Sequence, residues 1–229
     1  MSHGVQDPPA PTPVTRTDVL RASPPMFRTP AVDRVTRVHP LVPVLVFVPA
    51  IVVVALLAEH RVGVPALVGL AFAGWAFWGL VEYWIHRVVF HIEPEEGFGA
   101  RLHWMVHGVH HDHPNDPLRL VMPPAVSVPG SAAFVAVFVL LFGVGPGLAI
   151  GVGFLVGYLA YDMTHHALHH HTPRTAFGRR LREKHMRHHF QDDTRGFGIS
   201  APWWDLVFGT APTRPDRGSR APGAGPGAR

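Results

Sequence analysis

Histidines at positions i, i+3 and i+4 stand at His107, His110 and His111 in "HGVHH" and at His185, His188 and His189 in the near copy "HMRHH". On a helix these positions share one face, so each triplet aims its imidazoles at a common centre. Two further clusters are "HRVVFH" (His86, His91) and "HHALHHH" (His165, His166, His169, His170, His171). Of 18 histidines, only His3, His39 and His60 lie outside positions 86 to 189, and these read as ordinary surface or hydrogen-bonded residues. Neutral imidazole is a good ligand for Fe, Zn, Cu or Ni and a poor one for Mg or Ca. Cysteine is absent, so a disulfide framework and a thiolate site are both excluded, and any metal must be held by nitrogen or oxygen. So many nitrogens exceed the needs of one ion. Two ions a few ångström apart would use them, and such a centre can activate a small molecule lying between. Spacing leaves some choices open: His165/His169 and His166/His170 are both i, i+4 pairs, and His103 continues the face of His107 and His111.

Two carboxylates stand close to the clusters in apolar surroundings. Glu82 lies one turn before His86, and Asp162 three residues before His165. An unpaired charge would be costly there, so each is expected to accept the free ring N–H of a ligand histidine and fix its tautomer. The competing reading is a salt bridge to a nearby Arg.

The elements that must position these residues are membrane spans. No charged residue occurs from Leu41 to Ala58, from Val62 to Val81, or from Leu120 to Tyr161. At about 1.5 Å rise per residue, each of the first two runs can cross a hydrocarbon layer of about 30 Å once, and the third can cross it twice. The reading places span one at 40–59, a turn at "EHRVG", and span two at 63–84 running directly into "EYWIHRVVFH". The long run then folds as a hairpin around Gly143 to Gly147, with a span of about 18 residues on each side. Pro43 and Pro49 are expected to bend the first span. The fold class is therefore all-α: an integral membrane protein of four transmembrane helices with a histidine-rich helical cap holding a dimetal centre.

Residues 1–38 and 212–229, rich in Pro, Arg and Gly or Thr, read as disordered, which leaves 39–211 as the membrane domain. Neither end is long enough for a fused electron-transfer domain. A cleaved secretory signal is not expected, because the apolar stretch begins only after a polar, Pro-rich segment. Arg residues mark the N-terminal segment, the 87–119 region and everything after Arg174, whereas the turns on the opposite side hold only Arg61. The positive-inside rule then puts both termini and all the histidine segments in the cytoplasm. The net charge of +4 resides beside apolar spans rather than on a basic face interleaved with aromatics, which excludes a nucleic-acid partner.

Four histidine boxes of the form HxxxxH, HxxHH, HxxxH and HxxHH, interleaved with four spans, resemble the fatty acid hydroxylase superfamily of integral-membrane, O2-dependent dimetal oxygenases. "HRVVFH", "HWMVHGVHHDHPNDPLRLVMPP", "YDMTHHALHH" and "EKHMRHHF…GFGISAPWWDLVFGT" follow the order and spacing of its fatty acid and sphingolipid 2-hydroxylases, over roughly residues 75 to 210. The resemblance implies ten metal ligands: His86 and His91; His107, His110 and His111; His165 and His169; His185, His188 and His189. His166, His170 and His171 would be neighbours off the ligating face, with His103 unassigned, and Tyr161 and Asp162 match a "YD" before the third box that supports it. "RLVMPP" and "WWDLVFGT" have no metal role derivable from the residues, and their presence favours this subgroup over carotenoid or sterol relatives.

The implied activity is O2-dependent hydroxylation of a lipid acyl chain, at C2, by two metal ions, with iron expected for activity and zinc able to occupy the same nitrogens in purified protein. Many relatives carry a fused cytochrome b5 domain that is lacking here, so electrons would come from a separate ferredoxin or cytochrome b5-like protein with its reductase. Trp75, Trp78 and the facing spans are expected to line an apolar slot for the chain, and Arg119 to be an interfacial anchor or a contact for an acyl carboxylate or phosphate. The competing functions are a carotenoid, sterol or alkane hydroxylase or desaturase of the same superfamily, and a non-enzymatic metal-handling membrane protein.

Overall fold

The structure is a computed structural model describing residues 14–92, 94 and 96–213; His3 and the expected disorder of 1–13 and 214–229 lie outside it. All regular structure among the described residues is helical. Two short helices, α1 (Arg16–Arg21) and α2 (Pro30–Val35), precede α3 (Leu41–Val62) and α4 (Val64–Trp84), and α4 continues through a π-helical turn over Ile85–Phe90. Then come α5 (Gly97–His103), a second π-helical turn at Trp104–Gly108, α6 (Val109–Asp112), α7 (Pro124–Phe142), α8 (Val144–His170), α9 (Ala176–Phe190) and α10 (Trp203–Val207).

Among the described residues, four helices are long and apolar enough to cross a membrane: Leu41–Val62, Val64–Phe90, Pro124–Phe142 and Val144–His170. The second and fourth extend beyond the expected spans by the turns that carry His86 and by those that carry His165 and His169. Pro43 falls in the first turn of α3, where its missing N–H is one the helix leaves unpaired anyway, and only Pro49 stands in the interior. The turn between α7 and α8 is at Gly143, whose φ of 81° lies in the left-handed region that glycine occupies without strain.

Helix α8 is the centre of the bundle. Over half of its apolar window (56%) is buried inside the fold, against 17% for each of the other three spans. It packs on α3, α4 and α7 around Phe47, Trp78, Phe138, Phe154, Leu155, Tyr158 and Tyr161. The α4–α8 approach is close because Gly153 has no side chain: a methyl there would overlap the carbonyl oxygen of Ala71. This backbone-to-backbone contact holds together the two helices that carry the first and third histidine boxes.

Residues 14–38 differ from the expectation of disorder. Helix α1 opens with a reciprocal cap, Asp18 N donating to Thr15 Oγ1 and Thr15 N to Asp18 Oδ2. Asp33, buried at 8% exposure, fixes α2 to the body through Arg119 (Nη2–Oδ1 2.9 Å). The order comes from hydrogen bonds to a distant residue rather than from apolar periodicity, which is why the local sequence does not display it.

Candidate metal centre

The first and second boxes are shaped by the π-helical turns. In an α-helix, residues i and i+5 point about 140° apart. A π-turn bonds i to i+5 and brings them back over one another, and such turns are frequent at functional sites. His86 and His91 flank the turn at 85–90, and their Nε2 atoms lie 3.3 Å apart. The HxxxxH spacing therefore signals a π-turn as much as a ligand pair. His103 spans the two π-turns, its Nε2 lying 2.5 Å from the Phe90 carbonyl, and belongs to neither group of converging rings.

All ten expected histidines converge, in two groups of five: His86, His91, His107, His111 and His188; and His110, His165, His169, His185 and His189. Within each group the candidate ligand atoms lie within 4.8 Å of one another. Each triplet is divided, contrary to the expectation that it aims at one centre. His107 and His111 join the first group and His110 the second, whereas His185 and His189 join the second and His188 the first. An α-helix turns its i+3 and i+4 side chains to opposite sides of residue i, about 60° one way and 40° the other, so two adjacent centres separate them. The groups abut, with the His111 and His189 rings 4.3 Å apart.

The ring nitrogens fit metal ions. Nε2–Nε2 distances are 3.1 Å (His91–His188), 2.9 Å (His107–His111), 3.0 Å (His110–His165), 2.7 Å (His169–His185) and 3.2 Å (His185–His189). Metal–nitrogen bonds of about 2.1 Å at right angles span about 3 Å between ligands, so these are edge lengths of a coordination shell. The converging Nε2 atoms leave Nδ1 to be oriented from outside. His86 Nδ1 lies 2.7 Å from the Phe197 carbonyl and His188 Nδ1 2.8 Å from that of Arg195. Carbonyl acceptors require the proton on Nδ1 and leave Nε2 free to ligate.

Glu82 and Asp162 do not perform this task. Glu82 accepts instead from the amides of Ile199 and Ser200 (2.7 Å each) and from the Ser200 hydroxyl. Asp162 accepts from Met122 N (3.2 Å) and Tyr158 Oη (3.3 Å). Both carboxylates face backbone amides of loops that pack on the spans, and these satisfy them without an Arg. Glu82 thus acts on the site at one remove, anchoring the turn whose Phe197 carbonyl orients His86. Asp205 anchors it from the other side, accepting from Phe197 N (2.9 Å), Gly198 N (3.1 Å) and Thr210 Oγ1 (2.9 Å). This supplies a role for "WWDLVFGT" that the residues alone did not reveal. The remaining histidines stand apart: His166 and His170 pair with each other at 4.6 Å between rings, His171 and His60 are exposed, and His39 Nδ1 accepts from Leu41 N.

An apolar cavity of about 260 Å³ reaches the centre. His107, His110 and His165 border it, with Tyr161 and Asp162 beside them, and Phe90, Leu102, Met105, Val109, Leu120, Val121 and Met122 are among the residues that form the rest of the wall. "RLVMPP" is thus cavity wall. Trp75 and Trp78 are not: Trp78 is core, packed on Phe154, Tyr158 and Tyr161, and Trp75 stands half-exposed against Trp203. Arg119 is not at an interface, since its side chain is 3% exposed and paired with Asp33, but it does line the cavity.

Burial holds His107, His110, His185 and His189 well below the usual imidazole range, and brings His91 down to about 3, with neighbouring rings adding to the effect. They are therefore neutral at pH 7, the form in which an imidazole can hold a metal ion. In the metal-stripped protein the unfolded chain takes up protons below about pH 6.5 while these buried rings do not, so stability falls as pH falls. Each fully buried ring contributes up to about 1.4 kcal/mol per pH unit. Thermal unfolding of stripped protein is expected to shift steeply downward between about pH 6.5 and 5; an unchanged melting temperature over that interval would contradict the burial of the cluster.

Four membrane-length helices beneath a cap of ten converging imidazoles define an integral-membrane protein built around a polyhistidine metal-binding centre. A family model described as fatty acid hydroxylase matches residues 71–210, and the chain belongs to that family. Among its relatives, a dihydroceramide fatty acyl 2-hydroxylase of Arabidopsis thaliana is 36% identical over 149 residues, covering 65% of this chain and 63% of that protein. The fatty acid 2-hydroxylase of Homo sapiens is 37% identical over 163 residues, covering 69% and 44%. A solved structure described as full-length scs7p, with only the hydroxylase domain visible, aligns with a TM-score of 0.74 at 33% identity over 79% of this chain and 69% of that one. The chain thus spans less than two-thirds of the length of the plant relative, and less than half of the human one.

Proposed function

We propose that this chain is a membrane oxygenase that hydroxylates a lipid acyl chain at C2, with O2 and two electrons, and that the two five-histidine groups hold one metal ion each. The observation that carries the reading is the apolar cavity bordered by His107 of the first group and by His110 and His165 of the second. A saturated chain lying there would have a C–H bond beside imidazoles of both groups, which would hold the ions. The names of the relatives, fatty acid and dihydroceramide fatty acyl 2-hydroxylases, support C2 as the position. Bound iron would supply activation of O2 and oxidation of the C–H bond, and zinc, which favours the same nitrogens, would occupy the site without that redox chemistry.

The protein's own residues do the rest. The Phe197 and Arg195 carbonyls hold the proton of His86 and His188 on Nδ1, so that Nε2 of each would be free to hold a metal ion. Asp162, by holding the Met122 amide, fixes the cavity wall beside His165, and Tyr161 packs 5.8 Å from the His165 ring. These two are positioning residues for the third box. The stoichiometry, one C–H and O2 with two electrons and two protons giving an alcohol and water, requires an electron donor, and a ferredoxin or cytochrome b5-like protein with its reductase has the chemistry to serve as one. The Arg distribution supports a cytoplasmic cap that such a donor can reach. Residues 39–211 form the hydroxylase domain on this reading.

Lipid extracts of cells expressing the chain are expected to gain 2-hydroxylated acyl chains by mass spectrometry, and cells expressing His188→Ala to gain none. New double bonds or hydroxylated carotenoids in their place would overturn the proposed reaction.

A further inference from the structure

One wall of the cavity is not supplied by the bundle. Met26, Phe27 and Thr36 border it from the N-terminal segment, which precedes the residues 71–210 that the family model matches. The segment is pinned along its length. At its start Asn115 N donates to Leu20 O (2.9 Å), and His113 Nδ1 lies 2.6 Å from Val19 O. At its end Val38 N donates to Leu118 O (2.6 Å). Between them a single carboxylate gathers the donors: Asp33 Oδ1 accepts from Met26 N (2.6 Å), Phe27 N (3.4 Å) and Arg119 Nη2 (2.9 Å), and Oδ2 from Arg37 Nε (3.2 Å). Arg119 Nη1 donates in addition to the Pro24 carbonyl. The two amides that Asp33 holds thus belong to the two large side chains facing the cavity.

We propose that residues 22–37 are a strap that completes the acyl cavity, with the Asp33–Arg119 pair as its clasp and Met26 and Phe27 as determinants of which acyl chains fit. The inference rests on the reading of the cavity as the acyl site. A flexible thioether and a rigid ring impose different limits: Met26 adapts to the shape of the chain, whereas Phe27 sets a fixed boundary. Fit against such a boundary discriminates sharply, since one methylene in an apolar pocket changes relative turnover by about tenfold or more.

Two measurements on the full metal-loaded chain in lipid nanodiscs test this. Trypsin cleaves after Arg21 and Arg28, so Met26 and Phe27 fall in one peptide, residues 22–28. Photolysis with a diazirine-bearing palmitate is expected to label that peptide. Excess palmitate should suppress this label while sparing lipid-facing parts of the spans. Asp33→Ala should lower the label on 22–28 several-fold, and Asp33→Asn, which keeps one acceptor oxygen for the two amides, should restore part of it. Phe27→Ala, which leaves the clasp in place, is expected to shift the ratio of longer to shorter 2-hydroxylated products by about tenfold. Hydroxylated products whose length profile is unchanged in Phe27→Ala, with no suppressible label on 22–28, would overturn the strap while leaving the hydroxylase reading intact. Suppressible label on 22–28 in a chain that forms no hydroxylated lipid would support the strap and reject that reading.

Discussion

Substituting His107 and His111 together with alanine is expected to leave about one metal ion per chain, whereas substituting the neighbours His110 and His111 leaves close to two. The first pair belongs to one group and reduces it from five imidazoles to three; the second pair takes one ring from each group, leaving four and four. Four nitrogens suffice for a closed site, so metal content should follow the spatial grouping and not proximity in sequence. Turnover should fail in both, by at least the hundredfold that loss of even a supporting partner outside the ligand set can cost. His188→Ala alone should behave as a loss from the first group, although its triplet partners serve the second. Elemental analysis of purified variants settles the matter, and equal metal loss in the two double variants would reject the divided triplets.

The second large effect is expected at Glu82. Alanine there strands the Ile199 and Ser200 amides and the Ser200 hydroxyl in a buried site, at about 1–3 kcal/mol for each donor left without an acceptor. The turn that carries the Phe197 carbonyl loses its tie to α4, and His86 loses the acceptor that fixes its ring. Glu82→Ala should therefore lower both the melting temperature in detergent and the metal bound by the first group. Glu82→Gln keeps an oxygen for the two amides and can turn its NH2 toward a reoriented Ser200 hydroxyl, so it should retain much of both. Equal behaviour of the two variants would show that Glu82 contributes charge rather than hydrogen-bond acceptance.

The spans were legible because uncharged runs long enough for a bilayer have few other uses, and all four occur; α3 runs on through most of the expected "EHRVG" turn to Val62, and α4 and α8 continue into the cap. The ten histidines were legible from spacing together with the family's box pattern. The division of the triplets was not, since all three positions lie on one broad helix face and only the placement of the partner helices decides which centre each ring reaches. Glu82 and Asp162 were recognised as significant yet given the wrong partners: sequence distance suggested the nearest histidine, and the actual donors are amides 117 and 40 residues away. Order in residues 14–38 was invisible for the same reason, because Asp33 finds Arg119 at a separation of 86 residues.

The divided triplets have a consequence for how the protein comes into being. The stretch from α4 through α6 gives four rings to the first group and lends His110 to the second; the stretch from α8 through α9 gives four to the second and lends His188 to the first. The two stretches are interlocked, each completing the other's pocket, so the first pocket is complete only when the chain reaches His188 and the second only at His189. During synthesis, a ribosome-bound chain that ends before α9 presents a partial first pocket and cannot close either one. A pocket of five imidazoles is thereby deferred until α9 has been made, and a chain that ends before it completes neither pocket.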